Sequence, residues 1–184
     1  MSDSWKQYWP VYRRLEDEFC DFSYFVALED SHLKVYSIKL SELVLRICAE
    51  CENIGLSLMA ELGIMSKNRM TFVDIGRHLK SRTNLESKSA KVVWHYQSLK
   101  NVEIFPFKDW SKKNPNWFQD YNDLKHNRVH QQGISCAKYG SVLNGLCALY
   151  LLNVELIKVC RHQDEFGSLP DASTPAFGKL FHYL

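Results

Sequence analysis

The sequence predicts a mainly α-helical protein, a single helical bundle of four to five helices with a small two-stranded β excursion around residues 92–106. Three observations carry that expectation. Two long segments, about 37–62 and about 135–162, are apolar at helical spacing. The β-prone residues cluster in one short stretch that ends at Pro106. No repeat, low-complexity run or Gly-rich linker interrupts the 184 residues, so one domain spans 1–184, with its core over about 10–162 and an irregular tail over 163–184. A chain of this length buries roughly 70% of its unfolded surface and needs no staples. With 46% hydrophobic and 24% charged residues, the composition excludes disordered and fibrous classes.

Taken in order, Pro10 suits the first turn of a helix, and Tyr12, Leu15, Phe19 and Phe22 follow at helical spacing, which predicts a helix over 10–22. Residues 25–28 are short and apolar, fit for an extended stretch, and 29–32 read as a turn. The strongest helix covers about 37–62. Leu40, Leu43, Val44, Ile47, Cys48, Cys51, Ile54, Leu58 and Met59 make one stripe, which Leu45 and Leu56 widen. Ser37 is its expected cap and Gly63 suits its end. A helix apolar over more than half its circumference belongs at the centre. Glu52 falls inside the arc and Glu50 on its opposite edge, beside Glu42, Arg46 and Asn53.

Residues 71–80 form a short amphipathic helix through Phe72, Ile75 and Leu79. The β-prone runs are 92–96 and 102–105, and 109–116 read as a loop. Asn114-Pro115 predicts cap and first turn of a helix running to about His130, which Gln131-Gln132-Gly133 breaks. Ser135 is the expected cap of the last helix, about 135–162, so continuously apolar that it must pack on several sides.

Charge is uneven. Residues 1–62 carry a net of −5, 63–100 a net of +6 and 101–184 a net of +1. The middle block holds Lys67, Arg69, Arg77, Lys80, Arg82, Lys88, Lys91 and Lys100. It is either a basic face that pairs with the acidic N-terminal part or an attractor of phosphate. The polar N-terminus lacks a secretory h-region, and the longest uncharged run, 139–154, falls short of the ~20 residues that span a bilayer. A cytoplasmic protein without a membrane partner is therefore expected, its six cysteines reduced thiols in apolar segments.

The richest chemistry lies in 117–130. Asn122, His126 and His130 recur at i, i+4 and i+8 and share one helix face, flanked by Lys125 and Arg128. Trp117, Tyr121 and Leu124 form the neighbouring ridge. An imidazole titrates near neutrality and moves protons, while the cations hold phosphate oxygens. The same pattern also describes an ordinary solvated face.

The stretch Trp117-Phe118-x-x-Tyr121-Asn122-x-x-Lys125-His126-x-Arg128 resembles the signature of HEPN (higher eukaryotes and prokaryotes nucleotide-binding) domains, many of which carry Arg-Asn-x-x-x-His. Asn122 and His126 match, and Tyr121 stands where the arginine would be, as in a bacterial HEPN-like subgroup. Leu45, Cys48, Glu50 and Glu52 fit that subgroup's Leu-x-x-Cys-x-Glu-x-Glu helix, and Pro106, Phe107 and Trp110 its Pro-Phe-x-x-Trp lead-in. The resemblance touches most of 37–162. It implies a bundle, commonly a homodimer, with the motif near the dimer groove. Several such proteins are endoribonucleases of toxin–antitoxin or antiphage systems that need no metal or cofactor. Others only bind RNA, a nucleotide or a protein partner such as an antitoxin.

Two roles stay open on this reading. In one, His126 is general acid or base, Asn122 orients it, and Lys125 or Arg128 holds phosphate, with Tyr121, Trp117, His130, Glu52 and Glu50 completing the ligand-binding set. In the other, the same groove binds without catalysis. A third arrangement, zinc held by Cys48, Cys51, His126 and His130, has suitable ligands but a spacing that matches no compact finger. Glu52 is either a buried partner for Lys125, Arg128 or a tyrosine hydroxyl, or an anion that raises the pKa of His126.

Overall fold

Two apolar stripes set the centre of the molecule. The computed structural model describes residues 3–65, 69–93, 99, 101–127, 131–161 and 178–183. In chain order these hold α1 (Trp5–Ser23), α2 (Ile38–Glu61), α3 (Phe72–Lys80), β1 (Ala90–Val92), β2 (Glu103–Ile104), α4 (Asn116–Asn127), α5 (Gln131–Ile134), α6 (Tyr139–Arg161) and β3 (Phe181–Tyr183). The protein is mainly helical with one small sheet, as the sequence predicts. α2 and α6 pack most extensively against each other, with α1 and α4 laid against α6.

α1 runs antiparallel to both central helices. At its start the Ser4 hydroxyl donates to Glu61 Oε1 (2.9 Å) and lies 3.4 Å from Cys160 Sγ. Near its end Glu18 receives Lys39 and Arg46, and the Phe19 ring meets Tyr139 at 5.0 Å. α6 is buried along nearly its whole length, so its polar side chains need internal partners. Asn153 Nδ2 donates to the Leu149 carbonyl (2.9 Å), and Glu155 takes the Lys88 ammonium. By length and apolarity α6 would also suffice to cross a bilayer, but here it is mostly covered by the rest of the bundle.

Several boundaries differ from expectation. α1 begins at Trp5, so Pro10 lies inside it rather than at its first turn. Proline removes one ladder donor, and ring packing on both sides holds the helix through it: Trp9 meets Tyr12 at 5.0 Å and Tyr150 at 6.5 Å. Residues 25–28 are not extended but follow a turn, with the Phe25 and Val26 amides bonded to the Phe22 carbonyl. Ser37 does cap α2, accepting from Leu40 N at 3.1 Å, and Gly63 adopts φ 70° just past its end. Leu56 is exposed, so the apolar arc of α2 is narrower than its composition indicates. Asn114 does not cap α4: its buried side-chain oxygen has no partner among the described residues, and the Pro115 carbonyl accepts the first helical bonds. Gln131-Gln132-Gly133 forms a helical turn instead of a break. α6 starts at Tyr139, not Ser135, because the Tyr139 and Gly140 amides bond the carbonyls of Val35 and Leu33.

The sheet has three strands, not two, in the order β2-β1-β3, all antiparallel. Ala90 pairs with Ile104 on one side and Tyr183 on the other. β1 lies at the start of the β-prone region, and 94–98 fall outside the described residues. The third strand comes from residues 181–183, and a buried carboxylate anchors it. Glu16 is fully buried and needs donors. Its Oε1 accepts from Tyr12 Oη (2.6 Å) and the Leu180 amide (2.9 Å), and its Oε2 from Arg13 (2.8 Å).

Among the described residues, the basic block 63–100 makes no ion pair with the acidic N-terminal part. Arg77 bonds Asp74 (2.7 Å), Lys80 pairs with Glu86 (3.0 Å), and Lys88 reaches Glu155 of α6. The N-terminal acids instead meet cations of α1, α2 and the tail, including Lys179 on Asp17 (2.5 Å).

Candidate functional site

α4 is a helix of twelve residues fixed by aromatic packing on one side. Trp117, Phe118, Tyr121 and Leu124 are buried, at i, i+1, i+4 and i+7. Trp117 donates its indole N–H to the Pro106 carbonyl (2.9 Å). Phe118 stacks on Phe72 at 4.0 Å, and Phe72 meets Trp110 at 4.7 Å. Phe107 and Trp110 stack in turn at 4.5 Å. The aromatic residues that carry the family resemblance are thus mostly core: they specify a helix docked on a 106–110 floor. Trp117 and Tyr121, expected as ligand-binding rings, are each only 5% exposed, and the edge Trp117 keeps open lines a cleft at the start of α4.

The polar side of α4 carries the candidate chemistry. His126 is exposed in the last turn and Asn122 is half-buried one turn earlier, about 40° apart around the axis. Among the described residues neither side chain has a hydrogen-bond or ion-pair partner. Lys125 and His126 lie next to one another in the last described turn of α4. Arg128 and His130 lie outside the described residues.

Lys125 is exposed but faces α2. Its ammonium lies 5.5 Å from the centroid of the Tyr121 ring. Burial raises the Glu52 carboxyl above the usual carboxylate range, and the nearby Lys125 acts in the opposite direction. Burial and the neighbouring Glu52 also push the Tyr121 phenol up. Glu52, Tyr121 and Lys125 therefore form one group between α2 and α4, and the cation beside Glu52 is Lys125. Glu50 is not part of it. Two residues earlier on α2, it sits beside Arg46, which is bonded to Glu18 of α1, and burial raises its carboxyl too. The structure brings together Lys125, Tyr121 and Glu52, places Asn122 and His126 on the adjoining face of α4, and leaves Glu50 on another flank.

Cys48 and Cys51 occupy the buried stripe of α2, where burial pushes both thiols well up. Cys51 donates to the Gly145 carbonyl at 3.8 Å. Among the described residues no three His, Cys, Asp or Glu side chains converge as a metal ligand set.

One polar group escaped the sequence reading. Asp120 accepts from Ser141 Oγ and from Lys138 Nζ (3.2 Å), tying α4 to the start of α6. Its only advance signal was Asp120 itself within the motif stretch, since its partners lie 18 and 21 residues further on. Comparison with family models, with curated proteins and with solved structures returned no match.

Proposed function

We propose that this chain is a HEPN-like RNA-binding protein whose α4 carries a metal-independent endoribonuclease site. The observation that supports the reading is the exposed His126, without a partner among the described residues, one helical turn from Asn122 and with the Lys125 cation adjacent. In the proposed reaction the 2′-oxygen of a ribose bonds to the neighbouring phosphorus and the P–O5′ bond breaks. A 2′,3′-cyclic phosphate and a 5′-hydroxyl result. The 2′-hydroxyl loses a proton and the leaving 5′-oxygen gains one. His126 carries one of these transfers and water the other. Asn122 orients the imidazole, and Lys125 holds a phosphate oxygen. A homodimer acting with a protein partner, in a toxin–antitoxin or antiphage setting, is the context the resemblance implies.

A second reading, binding without cleavage, is favoured by Tyr121. It occupies the position of the family arginine, yet it is buried, and Lys125 leans toward Glu52. One experiment separates the two. Purified protein is incubated with single-stranded RNA in EDTA and the product ends are identified. Cyclic-phosphate ends that disappear in a folded His126→Ala variant support catalysis. Salt-sensitive binding without cleavage supports the second reading. Neither cleavage nor binding removes both.

A further inference from the structure

On the far flank of α4 from His126, a cleft of about 510 Å³ opens between the 105–115 segment, the start of α4 and the start of α6. Its size lies in the range of roughly 300–1,000 Å³ typical of small-molecule sites. Asp120 lines it and lies about 120° around the α4 axis from His126, so the cleft is separate from the candidate RNA site and does not depend on it.

The lining divides into two chemical halves. Lys108 and Lys113 bring positive charge at one side. Asp109, on the same segment, is already bonded to Lys112 at 2.9 Å. Lys108 and Lys113 therefore have no ion-pair bond among the described residues, although both feel the Asp109 charge. The aromatic ring of Phe105, 47% exposed, stands on the same cleft. The other half is made of hydroxyl, carboxylate and amide groups. Asp120 is fixed by Ser141 and Lys138, and Asn144 donates to the Gly140 carbonyl (2.8 Å), which leaves its amide oxygen as an acceptor. An anion is attracted to the lysines and repelled by Asp120. Hydroxyl groups are suited to Asp120 and Asn144, which accept their hydrogens.

The geometry points to a binding site for a phosphorylated sugar, with the phosphate on Lys108 and Lys113 and the sugar hydroxyls on Asp120 and Asn144. The sugar phosphate is either free or part of a nucleotide, and in the nucleotide the base lies against Phe105.

The test is calorimetric titration of the full chain with ribose 5-phosphate, ribose, inorganic phosphate and AMP. Ribose 5-phosphate binds at least about tenfold more tightly than ribose or phosphate alone, a ratio that requires both halves. The Lys108→Ala/Lys113→Ala double variant, altered only at exposed positions, loses about tenfold or more in affinity and keeps its thermal midpoint. Asn144→Ala weakens ribose 5-phosphate but not phosphate. AMP tighter than ribose 5-phosphate, with the gain lost in Phe105→Ala, identifies a nucleotide; AMP equal or weaker identifies a free sugar phosphate. Absence of binding up to about 10 mM ribose 5-phosphate, affinity no better than for phosphate, or an unchanged double-lysine variant would overturn the assignment. RNA binding that His126→Ala abolishes bears on the other flank and leaves this result untouched.

Discussion

The Lys125 ammonium lies 5.5 Å from the centroid of the Tyr121 ring, on the side of α4 that meets Glu52 of α2. The motif's cation thereby lies near a half-buried carboxylate. Burial raises the folded-state pKa of Glu52 above its ordinary value of 4.5. The folded state then holds that proton more tightly than the unfolded state, so stability falls as pH rises from 4.5 through the raised value. Glu52→Gln removes the ionisation, and the variant loses less stability than the parent across that window. Thermal melts from pH 4.5 to neutrality measure the difference, and parallel curves would rule out the assignment.

Glu18 has the opposite sign. The Arg46 guanidinium beside it, helped by Lys39, holds its carboxyl down at about 2. The stabilisation is complete above 4.5 and fades as pH falls toward about 2. Glu18→Gln therefore lowers the thermal midpoint at neutral pH, and its deficit against the parent shrinks as the solution is acidified. A deficit independent of pH would mean that Glu18 acts through packing.

Trp117 is nearly fully buried, so packing is its main contribution. Trp117→Ala costs about 3–5 kcal/mol by removing a buried ring, together with the bond to the Pro106 carbonyl. Trp117→Phe keeps most of the packing, and RNA affinity per folded molecule stays as in the parent. A large loss of affinity in well-folded Trp117→Phe would restore the ring to the ligand site.

The position of β3 depends on Gly178. A β-carbon there would lie 2.6 Å from Glu16 Oε1 and 2.8 Å from Tyr12 Oη, closer than such atoms approach. Gly178→Ala destabilises the protein by about 1–3 kcal/mol, as overpacking does, and hydrogen exchange at the Leu180 amide accelerates. Unchanged exchange would show that the Glu16 contact does not hold the tail.

What was legible in the sequence was local. The α2 stripe and its Ser37 cap are written within a few residues, as is the α3 helix, where Thr71 and Asp74 close a capping box. β3 was not legible, because its partner β1 lies some ninety residues earlier and its anchor, Glu16, is in α1. Asn114 carries a cap's side chain and still does not cap, because its oxygen is buried away from the α4 amides. In the candidate site, spacing alone placed Asn122 and His126 on one face. It could not separate Trp117 and Tyr121 from that face's function, since burial depends on Pro106, Phe72 and Trp110 elsewhere in the chain.

The proposed RNA site on α4 is tested most directly by titrating fluorescent single-stranded RNA into the parent and the Asn122→Ala/His126→Ala double variant at salt from ~50 to ~200 mM. The site predicts affinity that falls steeply with salt in the parent and drops by about tenfold or more in the equally stable double variant. Equal affinity in the two proteins, or binding indifferent to salt, would contradict it.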